Sequence, residues 1–399
     1  MIFLRYIGRF SVLLLTSISV VILLSLNPIA TASTVGLLTE IDAGRINNEL
    51  SFETSFLHAQ DRLALAYHFE GSLETPAVFG GELSRLSYSF PVRSIGTTFT
   101  LGKEAYRLGR GRLGTLLARD DIEGYPSIAY TITRPTFTYT KILGDLDYNE
   151  GYRRLILHYL DYRLTSTLKI GLGEVFVRSN PFAGEVFYEL VPGLPLYLHK
   201  YVPGGDPGKG NNIVYGDFEI EWGAGTYFGE LMINEFPAVP GAKNPRLYGI
   251  VLGTEVGNLT VQYSRLTNYA YSNRDRLSVY SYRERGLGHW LETDGDVLEA
   301  RWRHPVSANL DITAGAFVMR RGEGKIDDWY TSLAEQNANA FLSGTPEQTL
   351  GVILRADYAS DRWQMFGEAK FGPVKNHNHV VGKEGTYYEF RFGVSLETL

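Results

Sequence analysis

The chain contains no cysteine, which excludes a disulfide framework, thiolate catalysis and thiolate metal sites. Beyond Leu26 no apolar run approaches the length a membrane-crossing helix needs, so helical spans after the N-terminal segment are excluded as well. Histidine is scarce, eight in 399 residues, and no histidine stands in a local pattern with a nucleophile and an orienting acid, as an outer-membrane hydrolase would require. His377 and His379 lie two apart, as strand metal ligands could, but no third ligand accompanies them and they read as part of a polar loop. The glycines around Lys209 in Gly204–Gly210 lack the spacing and the following helix of a phosphate loop. An excess of positive charge is also missing. The formal net charge is −6, and it becomes −8 without residues 1–32, which carry Arg5 and Arg9 and no acid. Nucleic acid is therefore excluded as a partner.

Those first residues carry two arginines, an apolar run from Ser11 to Leu26 and the small-residue site Ala30-Thr31-Ala32. This is the pattern of a secretory signal peptide cleaved after Ala32, with a retained anchor helix as the alternative. Residues 33–399 then form one domain, since no linker, low-complexity tract or repeat interrupts them.

What is abundant is tyrosine (26) and glycine (43), the mix of barrel strands that dilute apolar residues by alternation and use tyrosine at membrane interfaces. The clearest alternation runs from Asn211 to Phe236. Val214, Gly216, Phe218, Ile220 and Trp222 share one face, and Ile213, Tyr215, Asp217, Glu219 and Glu221 the other. After a turn at Gly223–Gly225, Tyr227, Gly229, Leu231 and Ile233 oppose Phe228, Glu230, Met232 and Asn234. One such hairpin also suits a soluble sandwich. The rhythm recurs, however, at Leu63–Phe69, Ile128–Tyr139, Leu155–Val177, Leu247–Leu266, Val297–Met319, Leu350–Phe371 and Tyr387–Leu396. In the last of these Arg391 is expected to point inward with Glu389, because an arginine facing the bilayer midplane costs about 2–4 kcal/mol.

Short connections at Arg134-Pro135, Thr165-Ser166, Gly223–Gly225, Val256–Asn258, His304-Pro305 and Ser360-Asp361 alternate with long ones near 104–125, 179–210, 269–293, 321–348 and 372–385. Brief periplasmic turns opposite extended outer loops are the rule for outer-membrane barrels. The expected fold is all-β, a transmembrane antiparallel β-barrel of about 18 strands, with 16 as the alternative, and the eighteenth strand lies near Val35–Ile41.

The loop from Glu104 to Tyr125 is unusual in packing Arg107, Arg110, Arg112 and Arg119 beside Asp120, Asp121 and Glu123 among several glycines. The run Gly109–Asp121 (GRGRLGTLLARDD) followed by Tyr125–Ile128 resembles the glycine-rich segment of the capsule assembly protein Wzi family. The resemblance continues through His158–Leu164, Leu168–Glu174, Asn211-Asn212 with Gly216–Phe218, and Gly229–Phe236. It implies an outer-membrane barrel acting as a lectin-like factor that binds or anchors capsular or other exported polysaccharide at the cell surface. The chain departs from that family in two places. Ser33–Leu50 is too short and too poor in helical periodicity to supply the family's helical periplasmic closure, and the chain ends in Leu399 instead of an aromatic residue.

Polysaccharides offer hydroxyls and often carboxylates, which call for guanidinium forks, carboxylate acceptors and aromatic faces. Arg107, Arg110, Arg112, Arg119, Asp120, Asp121 and Tyr125 supply all three and form the candidate binding set, with Asp217, Glu219, Glu221, Glu230, Glu389 and Arg391 lining the lumen. The other reading of the same loop is a structural network that constricts the lumen. The proline-rich aromatic loop 179–210 either covers the mouth or packs on its own rim. Tyr269, Tyr271, Tyr280 and Tyr282, interspersed with Arg274, Arg276, Arg283 and Arg285, read as a solvated surface loop or as a surface for acidic sugars. The expected partners are outer-membrane lipid and extracellular polysaccharide, with no cofactor, no enzymatic activity and a monomeric state. A passive channel for sugars or small solutes is the alternative function.

Overall fold

The computed structural model describes residues 33–42, 45–54, 62–72, 80–146, 151–179, 189, 191–193, 210–234, 247–328 and 341–398. Residues 1–32, the expected signal segment, and most of the proline-rich loop 179–210 lie outside them. Eighteen strands form a single antiparallel sheet. They are β1 (Ser33–Asp42), β2 (Arg45–Thr54), β3 (Arg62–Ser72), β4 (Gly80–Val92), β5 (Thr97–Glu104), β6 (Tyr125–Thr133), β7 (Phe137–Leu146), β8 (Arg153–Arg163) and β9 (Leu168–Ser179). The second half comprises β10 (Asn211–Trp222), β11 (Gly225–Asn234), β12 (Tyr248–Val256), β13 (Leu259–Leu266), β14 (Gly295–Ser307), β15 (Leu310–Arg321), β16 (Glu347–Ala359), β17 (Trp363–Lys375) and β18 (Glu384–Thr398). Each strand pairs with the next, and β1 pairs with β18 from Ser33 opposite Thr398 to Asp42 opposite Glu389. The sheet is thus a closed barrel without edges, the form in which every strand satisfies its backbone inside a bilayer.

The two-residue period sorts side chains as alternation requires. In β10, Ile213 and Tyr215 are 1% exposed on the inner face, whereas Trp222 on the outer face is 74% exposed. Leu172, Phe218, Leu231, Leu252, Leu298, Val318, Leu350 and Phe390 continue the exposed apolar belt around the wall. Tyr162, Trp222, Tyr227, Trp302, Tyr358 and Trp363, all outward, cluster near the short-turn end, where an aromatic girdle meets a membrane interface. Part of the outer wall of β7–β10 departs from the belt. Lys141, Glu174 and Asn212 face outward there yet are buried. Arg154 of the same wall pairs with Glu189 at 2.8 Å, and Gly193 N–H donates to the Tyr139 hydroxyl at 2.9 Å.

Short turns and long loops fall at opposite ends. The two-residue turn between β10 and β11 places Gly223 at φ 61°, a conformation that an L-residue adopts only with strain. Two expected connections move. The turn expected at His304-Pro305 lies at Ala308-Asn309, because β14 runs through His304 and Pro305 and absorbs the proline at a register shift between Pro305 and Ser307. The last long loop shrinks to residues 376–383, since the β17–β18 ladder extends to Lys375 opposite Glu384.

Candidate functional site

The segment between β5 and β6 does not stand out in solvent but turns into the lumen. Leu108 and Ala118 exchange both backbone hydrogen bonds, at 3.1 and 3.2 Å, which ties the base of a hairpin-like excursion. A buried excursion must find partners for its backbone, and the wall provides them. Glu230 of β11 accepts the N–H groups of Arg110, Gly111 and, at 2.6 Å, Leu116. Gln262 of β13 accepts those of Arg112 and Leu113 at 2.8 and 2.9 Å, and its amide donates to the Gly114 carbonyl at 2.9 Å. Arg110 reaches Asp217 of β10 at 3.0 Å and also pairs with Asp161 of β8. Arg112 spans Glu219 at 2.7 Å and Glu255 at 2.8 Å, close to the short-turn end. Gly114, at φ 142°, passes so close to His289 and Trp290 that a side chain there would collide with both rings.

A second inward loop, 267–294, completes this plug. The Tyr271 hydroxyl donates to the Leu116 carbonyl at 2.8 Å and accepts the His289 N–H at 3.0 Å, and the Tyr280 hydroxyl donates to the Leu117 carbonyl at 2.7 Å. Arg119 N–H donates to Leu287 at 2.9 Å, and the Trp290 indole N–H to Leu113 at 2.8 Å. Leu116, Leu117, Tyr271, Tyr280, Leu287 and Leu291 form a buried apolar core between the two loops. The tyrosines expected on a solvated surface loop are therefore inside. The 267–294 loop uses their rings to cover the backbone of the 105–124 loop and the hydroxyls of Tyr271 and Tyr280 to satisfy it.

Electrostatics follow burial and pairing. Burial disfavours the charge on Arg110, but Tyr159, Asp217 and Asp161 outweigh it and hold the guanidinium above its ordinary pKa. Asp121 is likewise opposed by burial and still lies below the usual carboxylate value, because Arg119 binds it at 2.6 Å. Burial pushes the His289 imidazole down to about 3.

The candidate binding set separates. Arg110 and Arg119 are buried and Arg112 partly so, all three engaged with carboxylates. Arg107 and Asp120 stand half-exposed, 3.8 Å apart. Tyr125 is 2% exposed and packs between Tyr106 and Tyr282, each ring 6.0 Å away, so it offers no face to a ligand. Of the lumen set, Asp217, Glu219 and Glu230 point inward and hold the plug, and Glu221 is exposed at the short-turn rim. Glu389 and Arg391 face inward beside Lys370, with Lys370 to Glu389 at 3.0 Å.

Sequence reasoning missed the wall that this last group belongs to. Glu299 with Arg301, Arg355 with Asp357 and Glu368 with Lys370 are opposite charges two positions apart on one strand, and Arg301 also reaches Glu368 at 2.7 Å. Spacing of two puts both charges on one face of a strand, and that signal was present in the sequence. Between this wall of β14–β18 and the plug lies a cavity of about 480 Å³. A second, of about 440 Å³, lies on the β2–β6 side, and Arg107 and Asp120 border both. Among the described residues no group of three or more His, Asp or Glu is placed to hold a metal ion.

The fold is that of the outer-membrane β-barrels. The chain is similar to the structure of Wzi, described as an outer-membrane protein involved in group 1 capsule assembly in Escherichia coli and a carbohydrate-binding β-barrel. The TM-score is 0.63 at 12% identity, over 92% of this chain and 84% of that one. It is also similar to OccD3 (OpdP) of Pseudomonas aeruginosa, with a TM-score of 0.51 at 10% identity over 92% and 91% of the chains. OccK8 (OprE) of the same organism gives a TM-score of 0.51 at 10% identity over 92% and 97%. No family model matches the sequence, and no curated protein does.

Proposed function

We propose that the protein is exported through its cleaved N-terminal signal and resides in the outer membrane of a diderm bacterium. There it binds or anchors extracellular or capsular polysaccharide, as a non-enzymatic lectin-like barrel. The observation that carries this reading is the lumen. Two loops fill its β8–β13 side down to Glu219 and Glu255 near the short-turn end, held by ion pairs, that of Arg110 with Asp217 buried, and by backbone hydrogen bonds. Such an interior suits binding better than free diffusion. What remains open is lined by guanidinium, carboxylate and aromatic groups, the set that sugars require. The carbohydrate binding of the E. coli barrel names the ligand class to try first. Arg107 and Asp120, half-exposed where the two cavities meet, are the members of the original set best placed to touch a glycan.

A passive channel is the second reading, favoured by the polar cavities that flank the plug on two sides. The folded barrel in detergent should bind polysaccharide shed by its own bacterium saturably. Absence of binding, with uptake of small sugars by liposomes carrying the protein, would replace the lectin by the channel.

A further inference from the structure

We infer that the cavity between the plug and the β14–β18 wall is a subsite for a carboxylated sugar, read by Arg321 and Arg285. The inference rests on the polysaccharide-binding reading and narrows it to acidic glycans. Nine basic side chains line this cavity, and seven of them have a carboxylate of the protein within ion-pair distance. Arg301, Arg355, Lys370 and Arg391, for example, share Glu299, Glu368, Asp357 and Glu389. Among the described residues no carboxylate lies within ion-pair distance of Arg321 or Arg285, both of which line the cavity. Arg321 sits at the loop end of β15, and its buried Nε has no hydrogen-bond partner among the described residues. A buried guanidinium N–H left without an acceptor is costly, and a bidentate carboxylate is the ligand that satisfies it with the best geometry.

The surroundings favour a sugar over a bare anion. Trp290 lies beside the Arg321 guanidinium, 5.9 Å from its ring centre, and Tyr387 adds a second aromatic ring to the lining. Glu292, held through a 3.1 Å hydrogen bond from the Gly286 N–H, keeps a second carboxylate oxygen for a sugar hydroxyl. Aromatic faces take the apolar side of a pyranose, while the two arginines and Glu292 take its substituents. A volume of about 480 Å³ falls within the roughly 300–1,000 Å³ of ordinary ligand sites, room for a short oligosaccharide segment.

The test uses the full-length mature barrel in detergent and hexamers of galacturonate, mannuronate and hyaluronan, each beside its carboxyl-reduced, neutral counterpart. At least one acidic hexamer should bind about tenfold or more tighter than its reduced form, with an affinity that falls as salt rises. Arg321→Gln and Arg285→Gln should each weaken that acidic ligand about tenfold and weaken the reduced form much less, so that the preference for the acid shrinks. Heat-modifiable gel migration certifies that each variant is folded, and Arg321→Lys, which keeps the charge but not the fork, should recover part of the loss. Equal binding of acidic and reduced hexamers overturns the inference alone. So do variants that bind the acid as wild type does. A barrel that binds the polysaccharide shed by its own bacterium but none of the acidic hexamers overturns this inference alone, and a barrel that binds neither overturns the polysaccharide reading with it.

Discussion

The two halves of the lumen use the same residue types for opposite ends. On the β8–β13 side, Arg110 and Arg112 are bound by Asp161, Asp217, Glu219 and Glu255, and Glu230 is saturated by backbone N–H groups. On the β14–β18 side, arginines and glutamates stand on an open wall with about 480 Å³ before them, and among the described residues neither Arg321 of that wall nor Arg285 of the facing loop has a carboxylate within ion-pair distance. A charge that is buried must be paired, and a paired charge holds structure together. A charge left facing water in a cavity keeps its binding capacity. The arginine cluster that draws the eye in the sequence belongs to the first kind, and the better ligand groups belong to the second.

The comparison makes the plug side fragile and the open side tolerant. Glu230→Ala should have the largest effect, because it strands the buried donors of Arg110, Gly111 and Leu116, at about 1–3 kcal/mol each. Limited proteolysis should then cut the 105–124 loop in the folded barrel, and an uncut loop would mean that Glu230 is not its anchor. Arg110→Ala comes next, since it leaves Asp217 buried without its cation, a loss of about 3–5 kcal/mol. It should lower the temperature of heat-modifiable unfolding clearly, and more than Arg112→Ala does, because the Arg112 pairs are the more exposed.

His289 gives a pH-dependent contrast on the same side. Its folded pKa of about 3 lies below the ordinary histidine value of 6.5, so in acid the unfolded chain takes up its proton first. Its contribution to stability is present above pH 6.5 and is lost as pH falls from there towards 3. The urea midpoint of wild type should drop across that window more steeply than that of His289→Gln, and parallel curves would remove the histidine from the account. Arg321→Gln, on the open side, should change unfolding hardly at all. Arg303→Ala, which breaks only the exposed pair with Asp311, should be indistinguishable from wild type.

Much of the barrel was legible because its rule is local. A period of two needs only neighbouring residues, so the faces of β10, β11 and β18 and the position of β1 follow from the sequence. Pro305 misled because a proline ordinarily ends a strand, whereas β14 accommodates it at a register shift. The site was less legible because its contacts are distant in sequence. The segments around Gly109–Asp121, Asp161, Asp217 and Glu230 read as separate short motifs, and only folding shows them to be one assembly, the loop and its three anchors. Tyr271 and Tyr280 read as part of a solvated loop for the same reason, since nothing local distinguishes a tyrosine that caps a carbonyl in a plug from one in a wet loop.

Ionic conductance of the purified wild-type barrel in planar bilayers tests the central claim, that the 105–124 and 267–294 loops fill the lumen for binding instead of leaving it a free channel, most directly. The account predicts an electrically silent protein, with steady channels appearing in Glu230→Ala. A persistent open conductance in wild type, unaltered by that substitution, would contradict it.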